Sequence, residues 1–206
     1  MTIETHQLPV HTLDGLRLDA DLSVPADARA AAVICHPHPR FGGNRFNSVV
    51  DTLYTELARA GVVVLRFDFR GVGDSEGTYG DGIDERLDVA AAIEQLALAT
   101  DAPLWLVGYS FGAFVGLDVV HPRLEGWLAV APPLAMSATT RTAGADHRPK
   151  HLLLPEHDQF GAPADTEAQV AGWTATHTTV LASADHFLAG RLQAVADWAV
   201  GIVSAG

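Results

Sequence analysis

Two kinds of apolar pattern alternate along the chain. Leu16, Leu18, Ala20, Leu22 and Val24 recur at every second position within residues 13–24. That period predicts a strand with one buried face, of the antiparallel type. Further on, apolar residues come in short, nearly continuous runs at 30–35, 62–67, 104–107, 127–130, 151–154 and 178–182. Such runs predict strands covered on both faces, as in a parallel sheet. Helical spacing fills the intervals. Residues 47–60 carry Val50, Leu53, Tyr54, Leu57 and Ala58 on one side and stop at Gly61; residues 83–99 carry Leu87, Ala90, Ala91 and Leu98 among acids; residues 187–203 are amphipathic. Strand–helix alternation predicts an α/β fold with a central, mostly parallel sheet and helices on both faces. No linker-like stretch interrupts the 206 residues, so a single domain over 1–206 is expected.

Composition narrows the partners. The formal net charge is −12, and Lys150 is the only lysine. Phosphate recognition needs a basic surface, so no nucleic-acid partner is expected. The one cysteine, Cys35, cannot form an intramolecular disulfide and lies inside an apolar run. It reads as a buried strand residue, since a nucleophilic thiolate needs a polar, electropositive pocket. The opening MTIETHQLPV shows no basic-then-apolar leader, and no apolar run approaches the roughly 20 residues that span a bilayer. A cytoplasmic protein without membrane contact, monomeric or homodimeric, is the expectation.

The strongest chemical signal is Gly108-Tyr109-Ser110-Phe111-Gly112, after a strand candidate and before the apolar segment 113–120. A serine on so tight a turn projects its hydroxyl above the sheet, and the flanking glycines remove side chains that would clash. The following helix N-terminus puts the Phe111 N–H where an oxyanion would develop. A serine hydroxyl needs a general base, and in a strand–turn–helix architecture of this kind the base is expected last in the chain, after an acid. His186 follows the last strand candidate and precedes the final helix; Asp158 follows the run 151–154, with Glu156 and Asp165 as nearby alternatives. Asp84 and Asp88 read as solvated helical carboxylates. The second oxyanion donor belongs in the loop His36-Pro37-His38-Pro39-Arg40-Phe41-Gly42-Gly43. Prolines 37 and 39 have no N–H, which leaves His38. No further ligand-like cluster accompanies His36 and His38, so no metal is expected. The glycine-rich stretch 71–77 has the wrong spacing for a dinucleotide loop and carries Asp74 and Glu76, so no cofactor is expected there.

Taken together, HPHPRFGGNRFNSVV from His36, RFDFRGVGDSEG from Arg66, GYSFGA from Gly108 and ADHF from Ala184 resemble the small bacterial α/β-hydrolases described as dienelactone-hydrolase-like or carboxylesterase-like. The resemblance covers nearly the whole chain. It implies an eight-stranded, three-layer α/β-hydrolase fold and a Ser110–His186–Asp158 triad. Two departures stand out. Dienelactone hydrolases proper use a cysteine where this chain has Ser110, and the acid turn usually has a glycine where Pro155 stands. The expected function is hydrolysis of small carboxylic esters through an acyl-enzyme. The same chemistry serves thioesters and peptides, and a silent binding protein is the alternative of another class. The interval from Val130 to His151 leaves little room for a cap, so an open site and short-chain acyl esters are expected.

Overall fold

The computed structural model describes residues 3–136 and 141–205. Strands β1 (Ile3–His11) and β2 (Arg17–Pro25) form a hairpin. The chain then alternates: β3 (Ala30–Cys35), α1 (Ser48–Arg59), β4 (Val62–Phe67), α2 (Glu85–Ala99), β5 (Leu104–Tyr109), α3 (Phe111–Gly116), β6 (Leu124–Val130), β7 (Lys150–His157), α4 (Pro163–Val170), β8 (Thr176–Asp185) and α5 (Leu192–Val203). The strands make one eight-stranded sheet of order β1-β2-β4-β3-β5-β6-β7-β8. Only β2 runs against the others: it pairs antiparallel with β1 and β4, and every later pairing is parallel.

Each central strand feeds two cores, because successive side chains point to opposite faces. Val33, Leu65 and Leu106 face α2 and α3, where they meet Val89, Ile93, Leu96 and Val115. Ile34, Val64 and Val107 face α1 and α5, where they meet Leu53, Leu57, Val195 and Ala199. Burial of each large aliphatic side chain is worth about 1.5–3 kcal/mol, so the continuous runs fold as the three-layer arrangement that the resemblance implies. Cys35 is fully buried, and desolvation holds its thiol protonated.

Several elements differ from the sequence reading. β1 went unseen because its exposed edge position leaves IETHQLPVH without alternation; Pro9 is tolerated at such an edge. The expected strand at 13–24 begins at Arg17, because Asp14 and Gly15 make the hairpin turn, with Gly15 at φ 89°. α4 lacks a strong apolar stripe, burying only Thr166 and Val170. α2 is rotated relative to its apolar reading. Leu98 is exposed, while Glu85 and Asp88 are fully buried, so Asp88 is not a solvated carboxylate. The reason is Arg70, whose backbone N–H, Nε and Nη2 all donate to Asp88 at 2.7–2.9 Å. Glu85 likewise accepts from the N–H groups of Gly80 and Gly82. Among the described residues, no helix is long and apolar enough to cross a membrane.

Candidate active site

Every loop that the motif analysis singled out leaves the sheet at the carboxyl ends of parallel strands, where open α/β sheets form their crevices. β5 delivers Ser110, β7 delivers Asp158, β8 delivers His186, and β3 delivers the His36–Gly43 loop.

Ser110 sits at φ 53°, ψ −117°, a conformation that costs a non-glycine residue on the order of 1–3 kcal/mol. Its surroundings enforce it. The Ser110 N–H donates to the Val130 carbonyl at 2.9 Å, and its own carbonyl accepts from Phe114 at 3.0 Å in the first turn of α3. The glycines are needed for close approach. A Cβ on Gly108 would lie 2.5 Å from Ala113 Cα, and one on Gly112 would lie 2.5 Å from the Cys35 carbonyl carbon. The second contact presses α3 against the end of β3, so the elbow and the His36–Gly43 loop share one packed junction.

Ser110 Oγ is 2.8 Å from His186 Nε2. His186 Nδ1 lies 2.9 Å from both oxygens of Asp158. The His186 and Asp158 side chains are only 6% and 4% exposed, so this hydrogen-bond chain is largely shielded from water. An imidazole between a hydroxyl and a buried carboxylate can take a proton from the first while the second stabilises its cationic form. The structure thus brings Ser110, His186 and Asp158 together. Glu156 is instead engaged by the Ser183 N–H, and Asp165 is exposed on α4. Pro155 is accommodated because the β7–β8 register breaks between Pro155 and His157.

Two residues that the sequence reading missed hold the His186 loop. Tyr109 Oη donates to the His186 carbonyl at 3.0 Å. Burial and the nearby Asp158 and Asp185 charges raise the phenol to about 12, so it stays a donor. Gln159 Oε1 accepts the His186 N–H at 3.1 Å. Both residues adjoin motif residues, but nothing in their spacing signals the role.

In the β3 loop, His38 precedes a short 3₁₀ turn at Pro39–Phe41, and its ring lies 4.8 Å from that of Phe111. The two residues expected to offer oxyanion donors are therefore neighbours. His38 Nδ1 accepts the Arg40 N–H at 3.2 Å, which leaves the proton of the neutral ring on Nε2, 3.1 Å from Tyr79 Oη. Burial, then Arg40, lowers the pKa of this imidazole. His36 is occupied too: Nδ1 donates to the Pro37 carbonyl at 2.6 Å, and Nε2 accepts the Phe69 N–H at 3.0 Å. Burial lowers it to about 4. With their ring nitrogens engaged in this way, His36 and His38 serve loop architecture. The far end of the loop is tied down by Arg45, which pairs through its side chain with Asp68 and Asp21 and donates its N–H to Asp68 at 2.7 Å.

The alpha/beta hydrolase family model matches residues 25–205. The chain belongs to this family. Among solved structures, this hydrolase is similar to an alpha-beta serine hydrolase homologue from Coxiella burnetii, at 27% identity and a TM-score of 0.87, covering 96% of this chain and 97% of that one. It is also similar to a serine hydrolase from Xanthomonas campestris described as lacking a lid, at 25% identity and a TM-score of 0.81, covering 94% and 91%. Among curated proteins, the uncharacterized protein RP471 of Rickettsia prowazekii is 37% identical over 107 residues, 50% of this chain. That match spans 45% of RP471, less than half its length.

Proposed function

We infer that this hydrolase is a serine esterase that cleaves small carboxylic esters through an acyl-enzyme on Ser110. The observation that carries the reading is the continuous hydrogen-bond chain from Ser110 Oγ through His186 to Asp158, on a serine held at positive φ. His186 Nε2 takes the hydroxyl proton as Oγ bonds to the ester carbonyl carbon, and the carbonyl π pair moves onto oxygen. The N–H groups of His38 and Phe111 receive that oxyanion, worth about 3 kcal/mol per donor. The tetrahedral adduct collapses, the C–O bond to the alcohol breaks, and His186 returns the proton to the departing oxygen. Water then repeats the sequence on the acyl-enzyme and releases the acid. Asp158 holds the imidazole with its proton on Nδ1 throughout.

Support for an open site comes from the segment after β6. It holds short 3₁₀ turns at Leu134–Met136 and Thr142–Ala145, while residues 137–140 lie outside the described residues. The lidless description of the Xanthomonas campestris relative points the same way. An open site gives a long acyl chain little to bury against, so acetate and butyrate esters should be turned over better than long-chain esters. Ser110→Ala should lose roughly a thousandfold or more in kcat against such esters, as should His186→Ala. A fluorophosphonate should label the wild type at Ser110 alone. Retained esterase activity in folded Ser110→Ala would sink the assignment.

A further inference from the structure

Two large aromatic side chains stand in solvent beside His186. Phe160 is 44% exposed and Phe187 61% exposed, although the chain buries Phe67, Phe69 and Phe111. Their rings lie 4.6 and 5.7 Å from the His186 ring, at 62° and 89°, and 6.4 Å from each other at 84°. They form a perpendicular aromatic corner against the imidazole.

This corner is built, not left over. The Phe160 N–H donates at 2.8 Å to Asp158 Oδ1, one of the oxygens facing His186 Nδ1. The adjoining Gln159 accepts the His186 N–H. Phe160 is thereby tied to the same atoms that orient the imidazole. Phe187 lies between His186 and Leu188, a fully buried residue at φ 58°, and Ser183 in the same loop also lies at positive φ, 53°. Non-glycine residues hold such angles only where their surroundings impose them, and such strain clusters at functional sites.

Position assigns the ligand. The imidazole is the group that hands a proton to the departing alcohol, so a corner on its flank meets the alcohol part of the ester and not the acyl part. Perpendicular rings offer both an edge and a face, the geometry in which a further aromatic ring packs best. We propose that Phe160 and Phe187 form an aryl subsite for the leaving group, so that benzyl-type esters of short acids are preferred. This deepens the esterase reading and rests on it.

Benzyl acetate and cyclohexylmethyl acetate test it, because both release a primary alcohol of similar size and only one carries a ring of π electrons. The wild type should favour benzyl acetate by about fivefold in kcat/KM, the increment that aromatic packing gives beyond area. Phe160→Leu and Phe187→Leu should each shrink that ratio, and the double variant should bring it down to the ratio of the two esters' hydroxide-catalysed hydrolysis rates. The ratio is taken within one sample, so a partly folded variant still reports it. Should a variant be inactive, product inhibition of the wild type serves instead: benzyl alcohol should bind several times more tightly than cyclohexylmethanol. Equal turnover of the two esters, or a ratio unchanged in the double variant, would overturn the subsite and leave the esterase reading standing. Hydrolysis of neither ester, with Ser110→Ala indistinguishable from wild type, would overturn both.

Discussion

The His38 imidazole is held between an N–H donor and a phenol, and together they choose its tautomer. Its backbone N–H is one of the two proposed oxyanion donors, so the ring acts as a peg that sets where that N–H points. Tyr79 therefore has an expected effect without touching substrate. Tyr79→Phe should lower kcat for an acetate ester by about tenfold while KM moves less than about twofold, because a displaced donor is missed chiefly in the transition state. A KM rise at constant kcat would instead assign the ring to substrate binding. Ser110 was legible from its neighbours, since a tight turn demands glycines next to it. Tyr79 was not. It arrives from a loop 41 residues away, and one hydrogen bond leaves no period in a sequence.

Helix α2 shows a segment overruled by its surroundings. Apolar spacing alone would turn Leu98 inward, yet Arg70 and two glycine N–H groups draw Asp88 and Glu85 in. Burial raises the Asp88 carboxyl even though Arg70 opposes it. Removing Asp88 strips the buried Arg70 guanidinium of its fully buried partner and leaves it the more exposed Asp14, so Asp88→Ala should cost on the order of 3 kcal/mol, read from the urea midpoint. The strand ends give a pH signature. His36 bridges the loops after β3 and β4 and stays neutral in the fold, with its ring lowered from 6.5 to about 4. Between those values the unfolded chain binds the proton and the native one does not. Stability contributed by His36 is therefore complete above pH 6.5 and declines as pH falls toward 4. Unfolding followed at several pH values should show this slope in the wild type, and His36→Asn should flatten it by one proton.

Under the proposed esterase reading, the charge of the whole molecule sets which esters approach Ser110. A net charge of −12 sets up a repulsive field for anions, and that field weakens as salt is added. Methyl hydrogen succinate should show a lower kcat/KM than methyl butyrate at low ionic strength, and the gap should narrow by about 0.5 M salt. A salt-independent gap would place the discrimination in the pocket instead. The sheet also explains why distant motifs converge. Parallel order sends β3, β5, β7 and β8 out at the same edge, so four loops far apart in the chain meet there.

Strands β3 to β8 and the elbow at Ser110 were readable as pattern, because hydrophobic period and glycine placement are local consequences of burial and turn geometry. The order Ser110, Asp158, His186 is the one that such an elbow calls for, and the parallel strands bring their three loops to one edge. Packing chose the rest. β1 pairs through its backbone, which asks little of its side chains, and α2 turns to serve a guanidinium that lies before it in the chain. The corner of Phe160 and Phe187 exists only because β7 and β8 are neighbours in the sheet. Each of these depends on which atoms meet across the fold, and a one-dimensional pattern records only what each residue needs, not which partner supplies it.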